Sequence, residues 1–206
     1  MMKNFLHLIL LGLISCTPKS DPYELFHKKQ FDASIPIISI DESTSLQKIE
    51  KRLNLPYTVS SAMFLIPYDF AQSKFSGSQA THLLPLHLFN RQSLDNAHIR
   101  YHKLLGFKVL VNKKITNRQG KELSEKTIRN IFHQNILNRG HNPKLADSPK
   151  DAFIRIYLKA GQPVQDAARL LGILADEFLQ VLQAEQVSTT HWNERYPLRI
   201  FLEFSS

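Results

Sequence analysis

Residues 153–174 read FIRIYLKAGQPVQDAARLLGIL, and this stretch decides the fold. Ile154, Ile156 and Leu158 share one side of an extended chain, with Arg155 and Tyr157 between them, which is the period of a strand. Pro163 then stands in the first-turn position of a helix, where a missing amide hydrogen costs nothing. From Val164 onward, Ala167, Ala168, Leu171, Leu174, Ala175, Phe178 and Leu182 recur as one continuous apolar stripe. A strand followed by a helix with a single apolar stripe implies a sheet with helices laid on one face.

Working outward, Leu198, Ile200, Leu202 and Phe204 alternate with Arg199, Phe201 and Glu203 in a closing strand. On the other side, Ser124 is placed as the N-cap of a helix, with Leu123 and Ile128 at the two positions of a hydrophobic staple. Ile128, Ile131, Phe132 and Ile136 line one face of that helix, and Gly140 with Pro143 stops it. Phe107 to Val111 is a strand by composition, and Ile115-Thr116 continues it or returns as a hairpin partner. Asn117 to Gly120 is a turn. Residues 105–206 thus read as a ββαβαβ domain.

The first half is less regular. Ile35 to Ile40 reads as a strand with its proline at an edge, and Leu46, Ile49 and Leu53 as a helix capped by Ser43 or Ser45 and ended by Leu55-Pro56. Tyr57 to Ile66 reads as a second strand, closed by Pro67. From Asp69 to Asn96 the signals are mixed, and Pro85 interrupts the apolar run HLLPLHLF. Residues 31–100 are therefore expected to form an N-terminal α/β subdomain. The fold class expected is α+β: a mixed sheet with helices packed on one face, divided into two small strand–helix–strand subdomains or forming a single body.

Composition sets the outer bounds. The 206 residues carry 26 Lys and Arg against 18 Asp and Glu, a net charge of +8, and 43% are apolar, enough to bury a core. A single cysteine excludes an intramolecular disulfide framework and any cysteine-based zinc site. The only continuous apolar stretch is at the N-terminus, so a polytopic membrane protein is excluded. That stretch opens MMKNFLHLILLGLISC: a positive start, about ten apolar residues, too few to span a bilayer, and then a small residue. Residues 1–15 are read as a secretory signal.

Leu13-Ile14-Ser15-Cys16 resembles a bacterial lipobox, which implies cleavage before Cys16 and lipid on its sulfur. Residues 16–30 would then be the lipidated cysteine and a tether, helped by the polar, proline-containing TPKSDP at 17–22. Thr17 after the cysteine favours the outer over the inner membrane by resemblance. The implied location is the cell envelope, facing the periplasm.

The order of elements in 105–204, with Val111-Asn112, Ser124, Ile154 to Lys159 and Pro163-Val164 at corresponding places, resembles the periplasmic domain of the TolR/ExbD family. That resemblance implies a module that pairs with itself as a homodimer and contacts an envelope protein or peptidoglycan. Family members carry a transmembrane helix with a proton-coupling aspartate. Residues 5–14 contain no acid, so proton coupling is not expected.

Catalytic motifs are not found: there is no Gly-x-Ser-x-Gly, no His-Glu-x-x-His and no glycine-rich phosphate loop. His98 and His102 are spaced to chelate on a helix, but a single acid lies near them, and His82 and His87 flank Pro85. Surface or half-buried histidines are the simpler reading, and no metal or cofactor is expected. Asp41-Glu42 precedes a helix start, and Asp176-Glu177 is read as a solvated helix face. The basic group Lys113, Lys114, Arg118 and Lys121 falls on the hairpin of the second half and is the candidate contact for anionic surfaces. Nucleic acid is disfavoured by the secretory signal. The expected function is a non-catalytic, lipid-anchored envelope protein that binds or scaffolds partners. Two alternatives stay open: an outer-membrane assembly or lipopolysaccharide-handling lipoprotein, and an envelope hydrolase.

Overall fold

The structure is a computed structural model that describes residues 23–54, 61–76, 82–89, 105–186 and 197–205. The deciding stretch folds as its periods dictate. β6 (Phe153–Lys159) is followed by a turn of 3-10 helix at Val164–Ala167, which runs directly into α3 (Ala168–Ala184). Around it lie α1 (Leu46–Leu53), β1 (Ser61–Asp69), β2 (Lys74–Phe75), β3 (Leu83–Phe89), β4 (Leu105–Val109), β5 (Ile115–Asn117), α2 (Glu125–Ile136) and β7 (Arg199–Ser205). The seven strands make one mixed sheet in the order β2-β1-β3-β7-β6-β4-β5. β3, β7, β6 and β4 run parallel to one another, and antiparallel strands close both edges. The protein is of the α+β class.

Register sorts the side chains. Phe107 stands beside Ile156, Ile156 beside Leu202, and Leu202 beside Leu88, so these four share a face. That face forms one apolar cluster with Leu46 and Ile49 of α1, Ile128 and Phe132 of α2, and Leu171 and Phe178 of α3. All three helices therefore pack on the same face of the sheet, as their stripes require. The cluster joins residues from both halves of the chain, because β7 pairs with β3 on one side and β6 on the other. Leu65, Leu83 and Phe201 point to the opposite face and are buried outside this cluster.

α2 shows the expected punctuation. The Ser124 hydroxyl accepts the Thr127 amide at 3.2 Å, Leu123 packs against the core and Ile128 is fully buried. Ile131 is only half-buried, and the fully buried Asn135 takes the inward place instead; its side-chain oxygen accepts the Ala146 amide at 3.0 Å. The buried amide thus pins the loop that follows the helix.

In the first half the strand limits differ from the sequence reading. Pro67 does not close β1, which continues to Asp69. Leu65 exchanges bonds with Pro36 and Ile38 on the outer edge of β1, and the Pro67 carbonyl accepts the Ser76 amide on that same side. The missing donor of Pro67 therefore gives up the return bond to Ser76 at the outer edge and leaves the β1–β3 ladder intact. Pro85 sits within β3 opposite Leu65, in a pair that exchanges no hydrogen bonds across β1 and β3. Its missing donor faces β7, where pairing starts only at His87.

Ile35 to Ile40 makes a single bridge, Ile37 to Leu65, instead of a strand. Residues 23–30, expected as the end of a tether, are docked: Leu25 and Phe26 are buried, and Tyr23 stacks on Phe70 with ring centroids 4.6 Å apart. Cys16, the signal segment, residues 57–60, and His98 with His102 lie outside the described residues.

Candidate functional site

The sheet face turned away from the helices carries a concentration of polar groups. By alternation, β6 presents Arg155, Tyr157 and Lys159 there, with Gly106 beside Arg155 and Lys108 beside Tyr157 on β4, and Glu203 beside Tyr157 on β7. Arg155 and Glu203 are both buried and pair at 3.0 Å, so their charges offset each other. The Arg155 guanidinium also lies 5.9 Å from the Tyr157 ring centre.

Arg118 reaches the same ring from the turn after β5, its guanidinium carbon 5.8 Å from the ring centre. It crosses Gly106 to get there: a Cβ at 106 would stand 2.5 Å from Arg118 Nε and 3.2 Å from the Tyr157 ring. Glycine at this strand position is what allows the Arg118 side chain to pass this close to the sheet. At that distance the ring attracts the cation weakly and leaves its donors available to an anion.

Where β4 and β6 end, a groove of about 400 Å³ opens between the β4–β5 turn and the β6–α3 turn. Lys108 and Lys159 line it together with Leu110, Val111 and Gln162. Gln162 is buried and fully engaged: its oxygen accepts the Lys159 amide at 3.0 Å and its nitrogen donates to Asp166 at 3.0 Å. Val111 is 66% exposed, the most exposed large apolar residue among those described. Among the described residues no acid pairs with Lys108, Arg118 or Lys159, while Arg155 is matched by Glu203. The face can therefore attract and hold an anion, with an apolar rim beside it.

Of the four basic residues read from the sequence, the structure brings only Arg118 into this arrangement. Lys114 pairs with Glu122 at 2.7 Å, and Lys113, in the left-handed conformation at φ 64°, lies 4.0 Å from Asp166. Lys121 is exposed, and its backbone amide donates to the Asn117 side chain. Sequence reading missed Lys108, Tyr157, Lys159 and the Arg155–Glu203 pair. The signal was present in FIRIYLK, where every second residue opposite the core is polar or aromatic.

Two other groups settle earlier expectations. Asp176-Glu177 is not a solvated face: Glu177 is buried, receives His133 Nδ1 at 2.8 Å and lies 3.7 Å from Arg129. Burial raises the Asp176 carboxyl above its usual range, opposed by Arg129 and by a hydrogen bond from Tyr23. These groups seal α2 against α3. Asp41 accepts from Thr44 and Ser43 side chains and the Ser43 amide, and these bonds hold its carboxyl below its usual range. It organises the turn before α1 instead of capping the helix.

His82 bridges to His27, and His87 stacks on Phe201 at 4.9 Å. Among the described residues no three His, Cys, Asp or Glu side chains converge as a metal site would need, and no described helix is long and apolar enough to cross a membrane. Comparison of the chain with protein families, curated proteins and solved structures finds no match.

Proposed function

We propose that the chain is a non-catalytic binding protein of the bacterial cell envelope, held to a membrane by lipid on Cys16. The observation that carries a binding role is the basic face itself: Lys108, Arg118 and Lys159 stand on one face, with no acidic partner among the described residues, and the two lysines line a groove with an apolar rim. Lys108 and Lys159 stand on adjacent strands of the sheet, so their backbone positions are fixed before a ligand arrives. The address rests on the lipobox-like Leu13 to Cys16 at the end of the apolar leader. Tyr23, seven residues after Cys16, is docked on the body; a lipid anchor would therefore hold the domain within about 25 Å of the leaflet. The ββαβαβ order of 105–205 supports the likeness to a TolR/ExbD-type module, which would place a partner-binding role in the periplasm.

Intact mass and membrane partition of the protein made in a bacterial host, beside Cys16→Ser, test this reading. A membrane-bound product that begins at Cys16 and carries added lipid mass, both lost in the variant, is expected. Equal, unmodified and soluble products would overturn the address.

A further inference from the structure

We infer that the groove at the ends of β4 and β6 binds the phosphate headgroup of an anionic membrane lipid, one molecule at a time. The inference rests on the envelope reading above and names the ligand of that face. Three observations converge on it. Lys108 and Lys159 line one groove on adjacent parallel strands, and Arg118, over Gly106 two residues back along β4, extends the same basic face outside the groove. Two ammonium groups lining one groove, with a guanidinium on the same sheet face, suit a phosphate, which accepts from several directions at once. Val111 and Leu110 line the same groove as the lysines, and Val111 is largely in water. A free phosphate has no use for that apolar rim. An amphiphile does: its phosphate meets the cations, and the first methylenes of its chains cover Val111. The groove, about 400 Å³, is of headgroup size and too small for a folded protein partner. Asp166 is engaged by Gln162 and lies 4.0 Å from Lys113, and Glu203 on the same face is paired with Arg155, so neither neutralises the lysine pair.

The test uses the full chain as produced in a bacterial host, kept in a neutral detergent. It is titrated with dihexanoyl phosphatidylglycerol below its micelle concentration, with binding followed by calorimetry. Dihexanoyl phosphatidylcholine, inorganic phosphate and oligothymidylate are titrated in parallel. Saturable binding of the glycerol lipid, about tenfold or more tighter than the choline lipid, is the expected result. Lys108→Gln with Lys159→Gln is expected to weaken it by about tenfold. Lys159 is exposed and Lys108 half-buried, and urea unfolding of the double variant checks that its fold is kept. Gly106→Ala, which drives Arg118 off the tyrosine, is expected to weaken binding without touching a groove-lining side chain.

Equal affinity for the two lipids would overturn the inference, since apolar contact alone would then explain binding. So would unchanged affinity in the lysine variant. Tighter binding of phosphate or oligothymidylate than of the glycerol lipid would reassign the face to another ligand class. The intact mass of the same sample reads the anchor separately. A lipidated chain that ignores the glycerol lipid overturns this inference alone, and an unlipidated chain that binds it overturns the address alone.

Discussion

The Tyr68 hydroxyl donates to the Ala168 carbonyl at 2.6 Å, and it stands directly over Gly172, one turn further along α3. The contact ties the end of β1 to the helix that roofs the sheet. A Cβ at 172 would lie 2.8 Å from that hydroxyl and 3.0 Å from Ser73 Oγ, so glycine is needed for close approach and not for backbone freedom. Gly172→Ala should destabilise the protein by about 1–3 kcal/mol through overpacking, although alanine favours helix by about 1 kcal/mol. The check is a lower urea midpoint with an unchanged slope; a raised midpoint would show that Tyr68 moves aside freely.

The cap of α2 makes a second prediction. Ser124→Ala removes the acceptor of the Thr127 amide and should cost about 1 kcal/mol. Ser124→Asp should restore most of it, because a carboxylate also accepts at that position and favours the helix N-terminus. Urea unfolding of the three proteins checks both directions.

The Arg155–Glu203 pair separates two meanings of stability. Removing one partner, as in Glu203→Leu, takes the carboxylate away from the buried Arg155 guanidinium and should cost about 3–5 kcal/mol. Removing both, Arg155→Met with Glu203→Leu, should cost far less, because the desolvation of two charges is also removed. A double-mutant cycle in denaturant would show the coupling.

His87 supplies a pH dependence. Burial, with the charge of Arg199 adding to it, pushes its imidazole down to about 4. The unfolded chain takes up a proton near its ordinary value of about 6.5. Between those two values the unfolded state binds more protons, so this group lowers stability as pH falls through that window. At about pH 5 the loss should be about 2 kcal/mol relative to neutral pH. His87→Phe, which keeps a ring on Phe201, should flatten that part of the profile. An unchanged slope in the variant would assign the dependence to other groups.

The second half of the fold was legible because its signals are local. Ser124 caps, Pro163 opens and the Ile154–Leu158 alternation faces one core. β3 was hidden for a physical reason: Leu83, Leu84, Pro85 and Leu86 are buried on both faces, so HLLPLHLF shows no period of two. Pro67 and Pro85 misled because the cost of a proline in a strand depends on which edge it faces, and only the neighbouring strands decide that. The site was legible in part. Arg118 was visible as one basic residue among four, but its approach to Tyr157 depends on Gly106 lying beneath it, a relation between strands that sequence spacing does not contain. Glu177 looked solvated beside Asp176 because helical charge pairs usually are, yet α2 brings His133 and Arg129 against it.

The position of β7 sets an order of events for the chain's birth. Residues 199–205 are the last strand in sequence yet lie between β3 and β6, near the middle of the sheet. Until they arrive, β3 and β6 have no partner between them, and the early and late halves cannot close over a common interior. A polypeptide threaded across a membrane N-terminus first would thus emerge with its central seam open. It would expose apolar strand edges to solvent and to chaperones until the final segment slotted in.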